Sequence, residues 1–404
     1  MSPATHPALF DTFARVPMTF VRGEGAWLET TDGRRVLDFT SGIAVNTLGH
    51  AHPALVSALT EQANRLWHVS NLFGIAEQDA LAEKLTSLCF ADKAFFANSG
   101  AEAVECAIKT ARRYHHANGR PERTRIVTFA GAFHGRTLAT LAATGNPAYL
   151  EGFGDVQPGF DQVRAGDLAA VKAAVGPETA AIMIEPIQGE GGLREVDPGF
   201  LRALRALCDD QGLLLIFDEV QTGIARTGAM FAHQLVGVEP DIMTLAKGLG
   251  GGFPVGACLA TNEAASGMTP GTHGSTFGGN PLAMAVASAV VDIVSEPAFL
   301  ENVRRVGLVM KQRLAALIDM YPDVAEGIRG EGLLAGVKVR VANGDVVAAL
   351  RDQDMLAVGA GENVVRLLPP LDLTDEDLNT GMERLEAAFE AIRAGLAVQG
   401  GDAP

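Results

Sequence analysis

Lys247 sits between an apolar run and a cluster of glycines, after Asp241-Ile-Met-Thr-Leu-Ala246 and before Gly248-Leu-Gly-Gly-Gly252. An amine held at the end of a buried strand loses solvation, so its neutral, nucleophilic form becomes accessible and it can form a Schiff base with a carbonyl. The glycines let backbone approach a bulky ligand. The same local sequence also fits a lysine that snorkels out of a loop. Asp218 closes a second apolar run, Leu213 to Phe217. A carboxylate beside a low-dielectric pocket is costly unless a cation meets it, and a cationic ligand nitrogen is one such partner. A strand-end acid facing solvent is the other reading, and position alone does not choose Asp218 over Glu219.

Other groups lie at comparable places. Ser99-Gly100-Ala101 opens a helix, where free N–H groups, partial positive charge and a hydroxyl suit a phosphate; taken alone, the stretch reads first as a simple N-cap serine. In Phe133-His-Gly-Arg136 the aromatic ring could stack on a flat ligand and the guanidinium could clamp a carboxylate, or the two are a core phenylalanine and a surface arginine. Glu190, in Glu185-Pro-Ile-Gln-Gly-Glu190, and Arg366, before Leu-Leu-Pro-Pro, could meet over a cleft, although spacing does not bring them together.

The elements that must position these groups read as α/β, with short apolar runs alternating with helical patterns. A helix is expected from Ala101 to about Asn118, with Val104, Ile108 and Ala111 on one face and Gly119 and Pro121 as the stop. Strands are expected at Arg125 to Phe129, Ala181 to Glu185, Leu213 to Phe217 and Asp241 to Ala246, with a helix at Pro198 to Gln211 capped by Asp197 and ended by Gly212. In parallel α/β sheets ligands bind beyond the carboxyl ends of the strands, which is where the candidates fall. Toward the C-terminus, strand-like pieces at Leu333 to Val339 and Asn363 to Leu368 precede a helix with a Thr374/Asp377 capping box. Trp27 to Phe39 has hairpin character around Asp32-Gly33. These patterns predict a large domain over residues 51–295 and a smaller α+β domain over 296–404, joined by residues 1–50.

Composition narrows the partners. The formal net charge of −16 argues against nucleic acid and anionic membranes, but a local nest of N–H groups still holds a phosphate. Cys89, Cys106, Cys208 and Cys258 show no metal-binding spacing and read as buried thiols of a reducing compartment; no metal is expected. With no secretory pattern at Met1 to Phe10 and no long uncharged apolar run, the expectation is a cytoplasmic enzyme without a membrane span.

Together, the stretches Leu215-Ile-Phe-Asp-Glu-Val-Gln-Thr-Gly223, Arg226-Thr-Gly228 and Pro240 to Gly252 resemble the signature of class III (ornithine-type, fold type I) aminotransferases. Asn98 to Ala103, Phe133 to Arg136, Glu185 to Glu190 and Gly274 to Pro281 resemble the same family, and the likeness runs from Arg22-Gly-Glu-Gly25 to Arg366-Leu-Leu-Pro-Pro370. The resemblance implies a large domain with a mostly parallel central sheet flanked by helices, and a smaller α+β domain built from both termini. It also implies pyridoxal 5′-phosphate carried on Lys247, which would shuttle the proton of transamination. Asp218 would keep the ring nitrogen protonated, Phe133 would stack on the ring and Gln221 would meet its phenolic oxygen. Ser99, Gly100 and Ala101 would cradle the phosphate, with Thr276 of a neighbouring subunit, so that a homodimer shares its active sites. Arg136 would hold the donor's α-carboxylate and the distal carboxylate of 2-oxoglutarate. Arg366 would hold the other carboxylate of 2-oxoglutarate, and Glu190 would neutralise Arg366 while the amine donor is bound.

Within the family, Gly49-His-Ala-His-Pro53, His68 to Phe73 and Thr272 to Thr276 are most similar to the acetylornithine branch. That implies transfer of the terminal amine of N-acetylornithine to 2-oxoglutarate, giving N-acetylglutamate semialdehyde and glutamate. Ornithine, succinylornithine, 4-aminobutyrate and a carrier-linked lysine precursor stay open as donors, because Arg15 to Val21 lacks the tyrosine this family places near the substrate. A nicotinamide dehydrogenase fits poorly. Its relaxed glycine pattern at Gly330 to Ala335 runs into the strand-like Val337-Lys-Val-Arg instead of a helix.

Overall fold

The computed structural model describes residues 8–401; residues 1–7 and 402–404, the outermost parts of the two segments assigned to the smaller domain, lie outside the described residues. A seven-stranded sheet organises the chain in the order Lys93–Ala97, Gly256–Ala260, Ile242–Leu245, Leu214–Asp218, Thr179–Ile184, Arg125–Phe129, Phe160–Val163. Only Gly256–Ala260 runs against its neighbours. The four strands at the far end of that order and Ile242–Leu245 are mutually parallel, so their carboxyl ends share one edge.

The continuous apolar runs follow from burial on both faces. Leu214, Ile216, Met183 and Ile242 pack beneath Val104, Ile108 and Ala111 of the helix Gly100–Ala117. The alternate residues Leu215, Phe217, Ile182 and Ile184 pack against Phe200, Leu201 and Leu204 of Pro198–Gln211. Side chains alternate across a strand, so one run serves two layers, at about 1.5–3 kcal/mol for each large apolar side chain buried. Both helices begin and end as the sequence predicts to within a residue. Ser99 Oγ accepts from Glu102 N at 3.2 Å, Asp197 Oδ1 accepts from Phe200 N at 2.9 Å, and Gly212 takes a φ of 61° at the second helix's end.

The predicted hairpin forms between Trp27–Thr30 and Arg35–Asp38, and its sheet also contains Phe20–Glu24 and a parallel strand, Met355–Leu356, from the other end of the chain. A further antiparallel sheet places Val364–Leu367 between Leu334–Val339 and Val358–Ala360. The final helix, Asp375–Gly401, departs from the predicted capping box. Thr374 Oγ1 does accept from Asp377 N at 3.0 Å, but the Asp377 carboxylate takes its hydrogen bonds from Thr374 Oγ1 and from Trp27 Nε1, at 2.7 Å each. The reciprocal half of the box gives way to a tie between the two ends of the chain.

Candidate active site

At the carboxyl edge of the large sheet lies a cavity of about 440 Å³. Ser99, Gly100, Ala101, Phe133, Arg136, Glu190, Asp218, Gln221 and Lys247 all line it. Sheet register explains the convergence. Asp218 pairs with Thr244, three residues before Lys247, and Phe217 pairs beside Ile184, one residue before Glu185. The antiparallel strand sets Gly256 opposite Ala97, which brings Ser99 and the start of Gly100–Ala117 to the same edge.

Lys247 has a φ of 43°, in the left-handed region that a side chain with a Cβ occupies at a cost of about 1–3 kcal/mol. Its Nζ makes no hydrogen bond or ion pair among the described residues. Burial pulls its pKa down to about 8; Glu190 opposes that shift and Arg366 adds to it. Asp218 and Glu219, indistinguishable in sequence, have separate tasks. Asp218 faces the cavity and is held by His134 Nδ1 at 2.7 Å, Thr244 Oγ1 at 3.0 Å and Val220 N at 3.1 Å. Glu219 turns away and accepts from the amides of Ala232 at 2.5 Å and His233 at 2.8 Å, tying down the next helix.

Arg366 and Glu190, 176 residues apart, form a two-pronged pair at 2.6 and 3.0 Å. Arg366 is 1% exposed and stands behind Glu190. Burial alone would raise the Glu190 pKa, but Arg366 outweighs it and the carboxyl is held below its usual range. Arg136 has no such partner. Its guanidinium lies 3.8 Å from the centroid of the Tyr149 ring and 5.5 Å from that of Phe133. The first-turn amides of Gly100 and Ala101 have no intrahelical acceptor and open onto the cavity. Gln221 Oε1 is buried without a partner. Gly135, at a φ of 132°, lets the Phe133–Arg136 turn lie on the helix start; a Cβ there would stand 2.8 Å from that of Ala101. Two candidates do not line this cavity: Arg366, buried behind Glu190, and Thr276, which is exposed next to the 61%-exposed Phe277.

Three residues escaped the sequence reading. His134, part of the Phe133–Arg136 motif, is buried and bonds Asp218 directly. Burial opposes a charge on its ring, but Asp218 and Glu185 outweigh that and raise its pKa. Glu185 lines the cavity and accepts from Phe133 N at 3.0 Å. Burial pushes its pKa well above the usual carboxylate range. Its position at a strand's carboxyl end, like that of Asp218, was the available signal. Tyr149 gave none, because it lies in a one-turn helix, Pro147–Leu150, outside every motif.

Known proteins resemble this chain over almost its whole length. The family model for class-III aminotransferases matches residues 12–389. The acetylornithine aminotransferase of Agrobacterium fabrum is 61% identical over 394 residues, 98% of each chain. The N-acetylornithine aminotransferase of Stenotrophomonas maltophilia superposes with a TM-score of 0.82 at 39% identity, over 94% of this chain and 97% of that one. The ornithine aminotransferase of Toxoplasma gondii, in a structure with partial occupancy of PLP at its active site, gives 0.91 at 32% identity over 96% and 93%. With the family's pattern running through almost its whole length, the chain belongs to the class-III aminotransferases.

Proposed function

We propose that this protein moves the terminal amino group of N-acetylornithine to 2-oxoglutarate, yielding N-acetylglutamate semialdehyde and glutamate, with pyridoxal 5′-phosphate as cofactor. The observation that carries the reading is the contrast between two arginines. Arg136 is open to the cavity and unpaired, whereas Arg366 is neutralised by Glu190. Such a cavity takes one carboxylate and an uncharged tail, and takes a second carboxylate once Glu190 swings away. The names of the relatives support the same donor.

The residues present fit the cofactor. An unpartnered amine, a buried acid, helix-start amides and a buried amide oxygen without a partner surround one cavity. Lys247 would hold the aldehyde carbon, Ser99, Gly100 and Ala101 the phosphate, Phe133 a ring face, Gln221 the phenolic oxygen and Asp218 the ring nitrogen. When bound, the cofactor supplies an electron sink for the carbon that loses its proton. The chain's own residues do the rest. Asp218, held by His134 and Thr244, would meet the ring nitrogen with its carboxylate. Lys247 would hold and return a proton at its Nζ; a pKa near 8 suits an amine that must do both. Arg136 fixes the substrate's carboxylate.

A homodimer with shared sites is part of the proposal. Thr276 would reach the phosphate of the neighbouring subunit's cofactor. Exposed Trp67, Leu72, Phe73 and Phe277 support this, being 61–87% accessible and tied to the Thr276 loop by Asn71 Nδ2 bonds to Ser275 O at 3.1 Å and Gly278 O at 2.9 Å. The proposed compartment is the cytoplasm, where four unpaired cysteines stay reduced.

A donor panel with 2-oxoglutarate tests the reading. N-acetylornithine should give the highest kcat/KM. A tenfold preference for ornithine, succinylornithine, 4-aminobutyrate or a carrier-linked donor would overturn the assignment.

A further inference from the structure

Arg136 is exposed and lacks any ion-pair or hydrogen-bond partner among the described residues, yet it is not left to wander. The Tyr149 ring lies 3.8 Å from its guanidinium carbon, and Phe133 and Tyr149 meet edge-on at 86° with centroids 6.3 Å apart. Together the two rings form a corner against the cation. An aromatic face covers the flat side of a guanidinium and leaves its N–H edges free. The backbone that brings Tyr149 there is specifically shaped. Gly145, at a φ of 63°, ends the helix Leu138–Thr144. Asn146 Oδ1 then caps the turn Pro147–Leu150 by accepting from Ala148 N at 3.0 Å. The Tyr149 hydroxyl makes no hydrogen bond among the described residues, whereas its ring contacts both Phe133 and Arg136.

We infer that Tyr149 is a positioning residue for substrate binding: its ring holds the plane of Arg136 so that two parallel N–H groups face the incoming carboxylate. The inference rests on the proposed role of Arg136. An arginine otherwise has many rotamers, and a substrate would have to select one of them on binding. Because Arg136 would serve both the donor and 2-oxoglutarate, loss of the stack weakens both alike and leaves the chemical step intact.

The test compares Tyr149→Leu, Tyr149→Met, Tyr149→Phe and Arg136→Ala in the holoenzyme, with KM for N-acetylornithine, KM for 2-oxoglutarate, Ki for glutarate as a competing dicarboxylate, and kcat. Leu and Met should raise both KM values and the Ki by about three- to thirtyfold, the range of a cation–π contact, with kcat within twofold of wild type. Phe should behave as wild type. If Arg136→Ala raises these constants while Leu and Met do not, the Tyr149 inference falls and the Arg136 reading stands. If Arg136→Ala leaves them unchanged, that reading falls and takes the inference with it. A fall in kcat at unchanged KM in Leu and Met, or a Phe variant as impaired as Leu, also overturns it.

Discussion

Glu190→Gln isolates the step by which one cavity accepts an uncharged tail and then a second carboxylate. Arg366 is 1% exposed, and its acceptors are the two Glu190 oxygens and Gly359 O at 3.2 Å. Removing one partner of a fully buried pair costs about 3–5 kcal/mol. Here the Glu190 side chain is 29% accessible and faces the cavity, and glutamine keeps one acceptor oxygen, so a loss of about 1–3 kcal/mol in stability is expected. The effect on ligands has opposite signs. A dicarboxylate no longer has to displace Glu190, and a charge-assisted hydrogen bond of about 1.5–3 kcal/mol becomes available to it, or about 10–150-fold in affinity. A neutral tail instead meets an uncompensated guanidinium. Single-turnover half-reactions with glutamate and with N-acetylornithine measure the ratio of the two kcat/KM values. That ratio should move at least tenfold toward glutamate. A folded variant whose ratio stays within twofold, or moves toward N-acetylornithine, would refute the argument.

Two further outcomes follow from the electrostatics. With its pKa lowered from 10.5 to about 8, Lys247 is about 10% neutral at pH 7 instead of about 0.03%. Covalent attachment of pyridoxal phosphate to cofactor-free enzyme, trapped by borohydride and mapped to the Lys247 peptide, should therefore accelerate with pH, reach half its maximum near pH 8 and level off above about pH 9; a rise continuing past pH 10 would contradict the depressed pKa. Asp218→Asn keeps the shape and the Thr244 contact but removes the charge. We expect cofactor retention with kcat down by about a hundredfold or more, and a near-normal kcat would remove Asp218 from the chemistry.

Much of the positioning was legible because it is written in local patterns. Apolar runs buried on both faces marked the strands, and Asp197 and Gly212 marked helix ends to the residue. What stayed hidden was orientation. Asp218 and Glu219 are both nearly inaccessible, and only the pairing of Asp218 with Thr244 determines which carboxylate faces the cavity. The Glu190–Arg366 pair needed the turn that carries Glu190 to approach the strand Val364–Leu367 of a separate sheet, a meeting no spacing rule encodes. Tyr149 acts through a stack from a four-residue turn, too short to leave a periodic signal.

The same register argument explains why the site tolerates strain at its centre. Successive residues of a strand point to opposite faces, so a one-residue slip between Leu214–Asp218 and Ile242–Leu245 would turn Asp218 away and break its 3.0 Å bond from Thr244. That register is secured by apolar layers on both faces of the sheet, well away from the cavity. The stability held there is what allows Lys247 to keep a φ of 43° and an unpartnered amine, each unfavourable alone. Relaxing either feature locally would give a more stable cavity with a still more fully protonated, poorly aimed lysine, so the strain belongs to the means by which this fold makes the neutral amine accessible opposite a fixed carboxylate.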